Sequence, residues 1–325
     1  MAELVPARSK SIAAATLAQI PRLFAPDTKA AKRFLEYFAA QIRNANTRKA
    51  YFHAVREFAT WCDRQKLTDI VDVEPVHVAA YIEQLGQRLA KPSVKQHLAA
   101  IRMLFDWLVV GQVVTANPAS PVRGPKHVVR KGKTAVLSAE EARTLLEAIP
   151  TDTIAGLRDR AIIATMVYTF ARIGAVLKMK VEDVYVQNRK TWVRLHEKGG
   201  KQHEMPCHHA LDAYINEYLD APEVAFDPKA TLFRSVFRRS GRLTERGLAQ
   251  ADAYRIIQRR ARAAGLRTKI GNHSFRATGI TEYLRNGGKL EIAQRMANHE
   301  SARTTGLYDR RDDQVSLDEV ERILI

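Results

Sequence analysis

From Thr115 to Thr134 the chain reads TANPASPVRGPKHVVRKGKT, with three prolines, two glycines, five lysines and arginines and no acidic residue. Proline fixes φ and has no N–H to donate, so such a run continues neither a helix nor a central strand. Patterned sequence lies on both sides of it. The chain is therefore expected to fold as two domains joined here, which suits its 325 residues, more than one core usually organises. The expected division is a flexible segment at 1–26, a helical domain at 27–115, a basic linker at 116–134 and a second domain at 135–325.

The first domain reads as helices. NANTRKAYFHAVREFATWCDRQ places Tyr51, Val55, Phe58 and Cys62 on one face, with Asn46 or Thr47 as cap. VEPVHVAAYIEQLGQRL (73–89) predicts a second helix. A third, over 91–112, carries the apolar stripe Val94, Leu98, Ile101, Phe105 and Leu108. Lys91, Lys95 and Arg102 follow another of its faces, as a solvated surface or as a contact to a polyanion.

The second domain opens on Ser138 with Glu141, a capping box. A buried helix is expected near 158–171. Then Val184, Val186, Trp192, Val193 and Leu195, with the turn sequences QNRK and KGGK, predict a small antiparallel sheet with Lys198 at a hairpin tip. Helical pattern returns at 207–220, 248–264, 274–286, 289–297 and 316–324. The fold class is mainly α: a helical N-terminal domain followed by a mixed α+β domain with a small antiparallel sheet.

Charge narrows the function. There are 52 lysines and arginines against 35 aspartates and glutamates, a net of +17, with an excess in both halves. The default partner of such a chain is nucleic acid; the alternative is a basic protein that is merely soluble. No apolar run is long enough to span a bilayer. Gln19, Pro21 and Arg22 interrupt any signal-peptide core. Cys62 and Cys207 are expected as free thiols in the cytoplasm, the protein being nucleoid-associated when bound to DNA.

Three segments could hold chemistry. In NHSFRATGITEYL, His273 and Arg276 stand three apart at a helix start, where a phosphate is well received. The alternative is a capping histidine and a surface arginine. Arg172 closes the most apolar stretch, AIIATMVYTFAR. A charge left unpaired beside a buried segment is costly. The nearest acids are Glu182 and Asp183, so a bound anion is its natural partner. Finally, NHESARTTGLY sets His299 nine positions before Tyr308. Alone, that tyrosine reads as a packed aromatic.

In order along the chain, Arg172, a lysine on a hairpin, His273-x-x-Arg276, His299 and Tyr308 resemble the tyrosine recombinase (phage integrase) family. The resemblance covers nearly the whole chain. NTRKAYFHAVREFATWC and SVKQHLAAIRMLFDWLVVGQVVTANPA are similar to that family's helical, SAM-like core-binding domain, and residues from about 135 onward to its catalytic domain. The resemblance implies a site-specific recombinase acting on double-stranded DNA within a tetramer, with no metal, ATP or other cofactor. Arg172 and Arg276 would clamp the non-bridging phosphate oxygens. Tyr308 would attack to give a 3′-phosphotyrosine and a 5′-hydroxyl. Lys198 would be the general acid for the leaving oxygen, with Lys201 its rival. His299 would hydrogen-bond the phosphate, and His273 would move a proton or help bind the phosphate. Further DNA contacts are expected from Arg48, Lys95, Arg102, Lys126, Arg130, Lys131 and Lys201.

The apolar tail, with Val315, Leu317, Val320, Ile323, Leu324 and Ile325, would dock on its own domain or on a neighbouring subunit. Two other readings share these residues: a monomeric type IB topoisomerase, and a DNA-binding protein impaired in catalysis. The second draws on Ala175, which stands where the family often has an acidic residue three after the first arginine. TFAR in place of TGLR and YDRR after the tyrosine are further departures. His196, His203, Cys207, His208 and His209 are dense but lack the paired spacings of a zinc site. NHES is no zincin motif, because position 303 is arginine.

Overall fold

The computed structural model describes residues 21–24, 28–127, 132–197, 200–224, 227–237, 240–309 and 321. Lys198, Arg130, Lys131, most of the 1–26 segment and the tail from Val315 (Glu321 apart) lie outside the described residues. The protein is mainly helical and divides into two compact units at Val128–Val129, within the proline-interrupted stretch.

Among the described residues, the first unit holds four α-helices: α1 (Thr28–Glu36), continued by a π-turn at Tyr37–Gln41, α2 (Ala45–Arg64), α3 (Pro75–Arg88) and α4 (Lys91–Val110). The apolar stripes read from the sequence form its core. Val55, Phe58 and Cys62 of α2 and Val94, Leu98, Ile101, Phe105 and Leu108 of α4 are all buried. The cap of α2 is Asn44, not Asn46 or Thr47; its Oδ1 accepts from the N–H groups of both, at 3.0 and 3.1 Å. Order also begins earlier than expected. Leu23 and Phe24 are buried, and Phe24 stacks on Phe34.

The second unit begins with α5 (Ala139–Glu147), closed by the Ser138–Glu141 capping box. Helix α6 (Ile154–Thr169) is buried on all sides and packs against α8 (His209–Leu219) and α10 (Asn272–Arg285). Short α7 (Ile173–Val176) leads into a sheet of order β1 (Val184–Gln187), β2 (Lys190–His196), β3 (Gln202–Pro206), antiparallel throughout. Asn188 and Arg189 both have positive φ, the requirement of a two-residue hairpin turn. A second pair, β4 (Arg234–Val236) with β5 (Leu243–Gly247), was not legible as strands, because both are short and largely polar in sequence. Helices α9 (Gln250–Ala263), α11 (Leu290–Met296) and α12 (Ala302–Gly306) complete the described fold. Among the described residues no helix is long and apolar enough to cross a membrane.

The position of α10 follows from one glycine. A Cβ at Gly279 would lie 2.1 Å from the Val167 carbonyl oxygen and 2.7 Å from the Phe170 ring. Only glycine lets α10 approach α6 this closely. That approach carries Arg276 to the end of α6.

Candidate active site

Helix α6 ends on Phe170, which takes the left-handed conformation (φ 55°, ψ 20°). Such a conformation is uncommon outside glycine. Here it turns the Phe170 carbonyl toward α10, where Arg276 Nη1 donates to it, while Arg276 Nη2 donates to the Ala297 carbonyl. The Arg276 side chain is almost fully buried. Burial, and then Arg172, push its pKa down to about 10, opposed by Tyr308 and Glu197. It therefore remains a cation at neutral pH. Two neutral carbonyls orient it without cancelling its charge.

Arg172 follows Phe170 by two residues and is half-exposed. Its partner is Glu197, 25 positions on: Nη1 donates to Glu197 Oε2 at 2.8 Å. Neither Glu182 nor Asp183 fills that place. Asp183 is buried beneath the sheet, 2.9 Å from His196 Nε2 and 3.6 Å from Arg194 Nη1, and accepts from the Lys180 N–H. Glu182 faces Lys180.

His299 is held at both backbone groups by Gln294: its N–H donates to the Gln294 carbonyl and its own carbonyl accepts from Gln294 Nε2, each at 3.1 Å. Asn298 before it has φ 46°, the left-handed residue that ends α11. The ring Nδ1 lies 2.9 Å from Thr305 Oγ1. Burial, then Arg276 and Arg172, lower the His299 pKa to about 4. The ring is thus neutral near pH 7. When the threonine hydroxyl donates to Nδ1, the ring proton sits on Nε2 as a donor.

His273 opens to solvent at the mouth of the site. It too is held below its ordinary value, by the protein packed about it and then by Arg276 and Arg172. His203 of β3, considered above only as a metal ligand, belongs to the same electrostatic cluster. Its pKa is lowered by burial, with Glu197 opposing and Arg276 assisting, and its buried Nε2 has no partner among the described residues.

Tyr308 is half-buried on the last described turn. The segment from His299 to it holds the short helix α12 rather than a plain loop. Its backbone is tied within its own chain: the Thr281 hydroxyl of α10 donates to the Tyr308 carbonyl at 2.9 Å, and the Gly132 N–H donates to the Leu307 carbonyl at 3.0 Å. The Tyr308 ring stacks on His299, and its phenol is close enough to Arg276 to favour the charged guanidinium. Two guanidiniums, neutral imidazoles and one carboxylate leave the site with excess positive charge around a phenol. Such a site receives an anion and can stabilise charge added to it.

The structure brings together Arg172, His273, Arg276, His299 and Tyr308, and adds Glu197, His203, Gln294, Thr281 and Thr305. Spacing in the sequence gave no signal for these additions. Lys201 is exposed and lies 3.0 Å from Glu300. Lys95 and Lys126 are exposed. Two residues expected at the DNA have guanidiniums bonded within the chain: Arg102 donates to the Ala119 and Val122 carbonyls, and Arg48 donates twice to the Ile42 carbonyl. His208 caps α8 through Nδ1 and stacks on Tyr168.

The family model described as the phage integrase family matches residues 135–315, and the one described as the phage integrase N-terminal SAM-like domain matches residues 31–113. The tyrosine recombinase XerD of Corynebacterium glutamicum is 28% identical over 292 residues, covering 86% of this chain and 92% of the relative. The tyrosine recombinase XerC of Leptospira interrogans is 25% identical over 283 residues, covering 86% and 87%. In fold, the chain is similar to the XerH site-specific recombinase in a post-cleavage complex with its palindromic difH substrate (TM-score 0.69, 19% identity, 96% and 93% covered). It is also similar to a lambda integrase tetramer bound to a Holliday junction (TM-score 0.67, 15% identity, 97% and 85% covered).

Proposed function

The chain belongs to the phage integrase family of tyrosine recombinases, and on that premise we propose that Tyr308 is the nucleophile of a site-specific DNA strand exchange. The Tyr308 hydroxyl oxygen attacks the scissile phosphorus as its proton passes to the neutral imidazole of His273. The phosphorus–O5′ bond breaks, leaving a 3′-phosphotyrosyl link and a 5′-oxygen that takes up a proton. Rejoining by another 5′-hydroxyl reverses the step, so the bond energy is kept and no ATP is consumed.

Arg172 and Arg276 bind the non-bridging oxygens and stabilise the charge that develops there. His299 donates from Nε2 to the phosphate, and His273 at the mouth assists. Lys198 protonates the leaving oxygen. Its rival Lys201 has its ammonium beside Glu300, which favours the assignment to Lys198. Lys95 and Lys126 contact DNA phosphates. Four copies act together on two duplexes, as the lambda integrase tetramer does on its junction.

The observation that carries this reading is the phenol of Tyr308 stacked on a neutral imidazole beside a buried, charged Arg276 that no carboxylate among the described residues pairs. The impaired-catalysis reading loses its support, since Glu197 supplies the carboxylate that position 175 does not. The test is incubation with nicked duplexes carrying the candidate recombination site, followed by denaturation. A covalent adduct from the wild type, absent from Tyr308→Phe, supports the assignment. No adduct from a wild-type protein that binds the site tightly refutes it. Supercoil relaxation without recombinant product favours the topoisomerase.

A further inference from the structure

We propose that Glu197 is a positioning residue of this reaction, one that fixes Arg172 for the phosphate and couples it to the loop bearing Lys198. The proposal rests on the assignment of Tyr308 and Arg172 made above.

A buried carboxylate is costly unless it is paired. Glu197 is buried, its side chain only 4% exposed, and its Oε2 lies 2.8 Å from Arg172 Nη1. Arg172 itself is 39% exposed at the side chain. The pair thus has one end anchored in the protein and the other facing the site. A guanidinium presents five N–H donors over three nitrogens. The contact engages Nη1, so the rest of the fork can address an anion.

The helix of Arg172 offers no alternative. Position 175, at the end of the same turn, is an alanine buried in the apolar core. Without Glu197, Arg172 would face Arg276 across the site with no negative charge between them. The two cations already interact, since Arg172 lowers the pKa of Arg276 and Glu197 opposes that effect.

The backbone of Glu197 adds the second half of the argument. Its N–H donates to the Lys201 carbonyl at 2.8 Å, one bond beyond the last β2–β3 pair, His196 with Gln202. Residue 198, next in the chain, is the proposed general acid. One residue therefore holds the oxyanion clamp through its side chain and the base of the acid's loop through its backbone. A single hydrogen bond from Arg172 therefore reaches the residue next to Lys198. Glu197 touches neither the phosphate nor the leaving oxygen, so its effect passes through Arg172.

The test is single-turnover cleavage of the nicked duplex, read as phosphotyrosyl adduct per unit time at saturating protein. Glu197→Gln keeps the size and the acceptor; Glu197→Asp keeps the charge; Glu197→Ala removes both. The cleavage rate is expected to fall about 10- to 100-fold in Glu197→Ala, as for loss of a group that orients an oxyanion donor. DNA affinity is expected to stay within about 3-fold, and Glu197→Asp to regain part of the rate. In an Arg172→Lys background, Glu197→Ala is expected to add less than about 3-fold, because the two changes act on one element. A purely structural role would lower the rate equally in both backgrounds.

Wild-type cleavage by Glu197→Ala and Glu197→Gln, or full additivity with Arg172→Lys, overturns this proposal and leaves the nucleophile assignment standing. Absence of adduct from the wild type overturns both. Should Glu197→Ala lose its fold, seen as loss of DNA binding, the isosteric Glu197→Gln decides the question.

Discussion

The rings of Tyr308 and His299 lie stacked, their centroids 5.8 Å apart and their planes 10° from parallel. The contact is made by the aromatic faces, and phenylalanine reproduces it. Tyr308→Phe therefore deletes the hydroxyl and little else. It is expected to abolish adduct formation while leaving the melting temperature nearly unchanged, a difference within about 1 kcal/mol. Adduct on a denaturing gel and far-UV circular dichroism on melting give the two readings. A persisting adduct places the nucleophile elsewhere.

His299 predicts a pH dependence of stability. Its pKa in the fold is about 4 against 6.5 for the ordinary side chain. Between those values the unfolded chain binds a proton that the folded chain does not, so stability falls as pH falls. The contribution is complete above about pH 6.5 and lost progressively toward pH 4, on the order of 3 kcal/mol in all. His97, His203, His208 and His273 are shifted in the same direction and add to the trend. Denaturant titrations of wild type and His299→Asn at pH 7 and pH 4.5 isolate the one ring: the variant should lose less stability on acidification. Equal losses would show that His299 is not the group responsible.

The residues proposed as the phosphate clamp, Arg172, Arg276 and the two histidines, stood out in the sequence by type and order, and the fold brings them together. Helices α2 and α4 were legible for a different reason, since a periodic apolar face is a local pattern. Glu197 was not legible. It meets Arg172 only because β2 ends beside α7, and nothing local to either residue encodes that. The carbonyl partners of Arg102 were not legible for the same reason. A basic stripe on a helix looks alike whether it meets phosphate or a stretch of its own chain folded back over it. Phe170 was read only as a departure from glycine; that it takes the left-handed conformation shows only in the backbone.

Phe170 and Gly279 make opposite demands at the end of α6. Phe170 sits at φ 55°, where glycine carries no steric penalty, yet its ring packs in the small core with Ile280 and Leu284. Phe170→Gly relieves the backbone but empties the core, and is expected to destabilise by about 2–4 kcal/mol. Gly279→Ala is expected to cost about 3 kcal/mol or more, because the added carbon meets the Val167 carbonyl, which cannot rotate aside. Both should lower the cleavage rate beyond their effect on stability, since both move the Phe170 carbonyl that orients Arg276. Thermal melts with single-turnover cleavage measured well below the midpoint separate the two effects. Full cleavage rate in a destabilised Gly279→Ala would detach this packing from the clamp.

Arg102 and Lys126 are both basic residues of the first unit, but their surroundings differ. Arg102 donates to the Ala119 and Val122 carbonyls, which fastens the segment after α4 onto that helix. Arg102→Ala removes both guanidinium hydrogen bonds, leaving the Ala119 carbonyl only the Val122 N–H, and is expected to destabilise the protein by about 1–3 kcal/mol. Its effect on the salt dependence of DNA binding should be near zero. Lys126 is exposed. Lys126→Ala should leave stability within about 0.5 kcal/mol and lower the slope of log K against log salt by about 0.9, the release of one counterion. Binding titrations between 50 and 200 mM salt, roughly the range over which such slopes are read, together with melts of both variants, check the assignment. A slope reduced by a full counterion in Arg102→Ala would put that guanidinium on the DNA and its carbonyl contacts in second place.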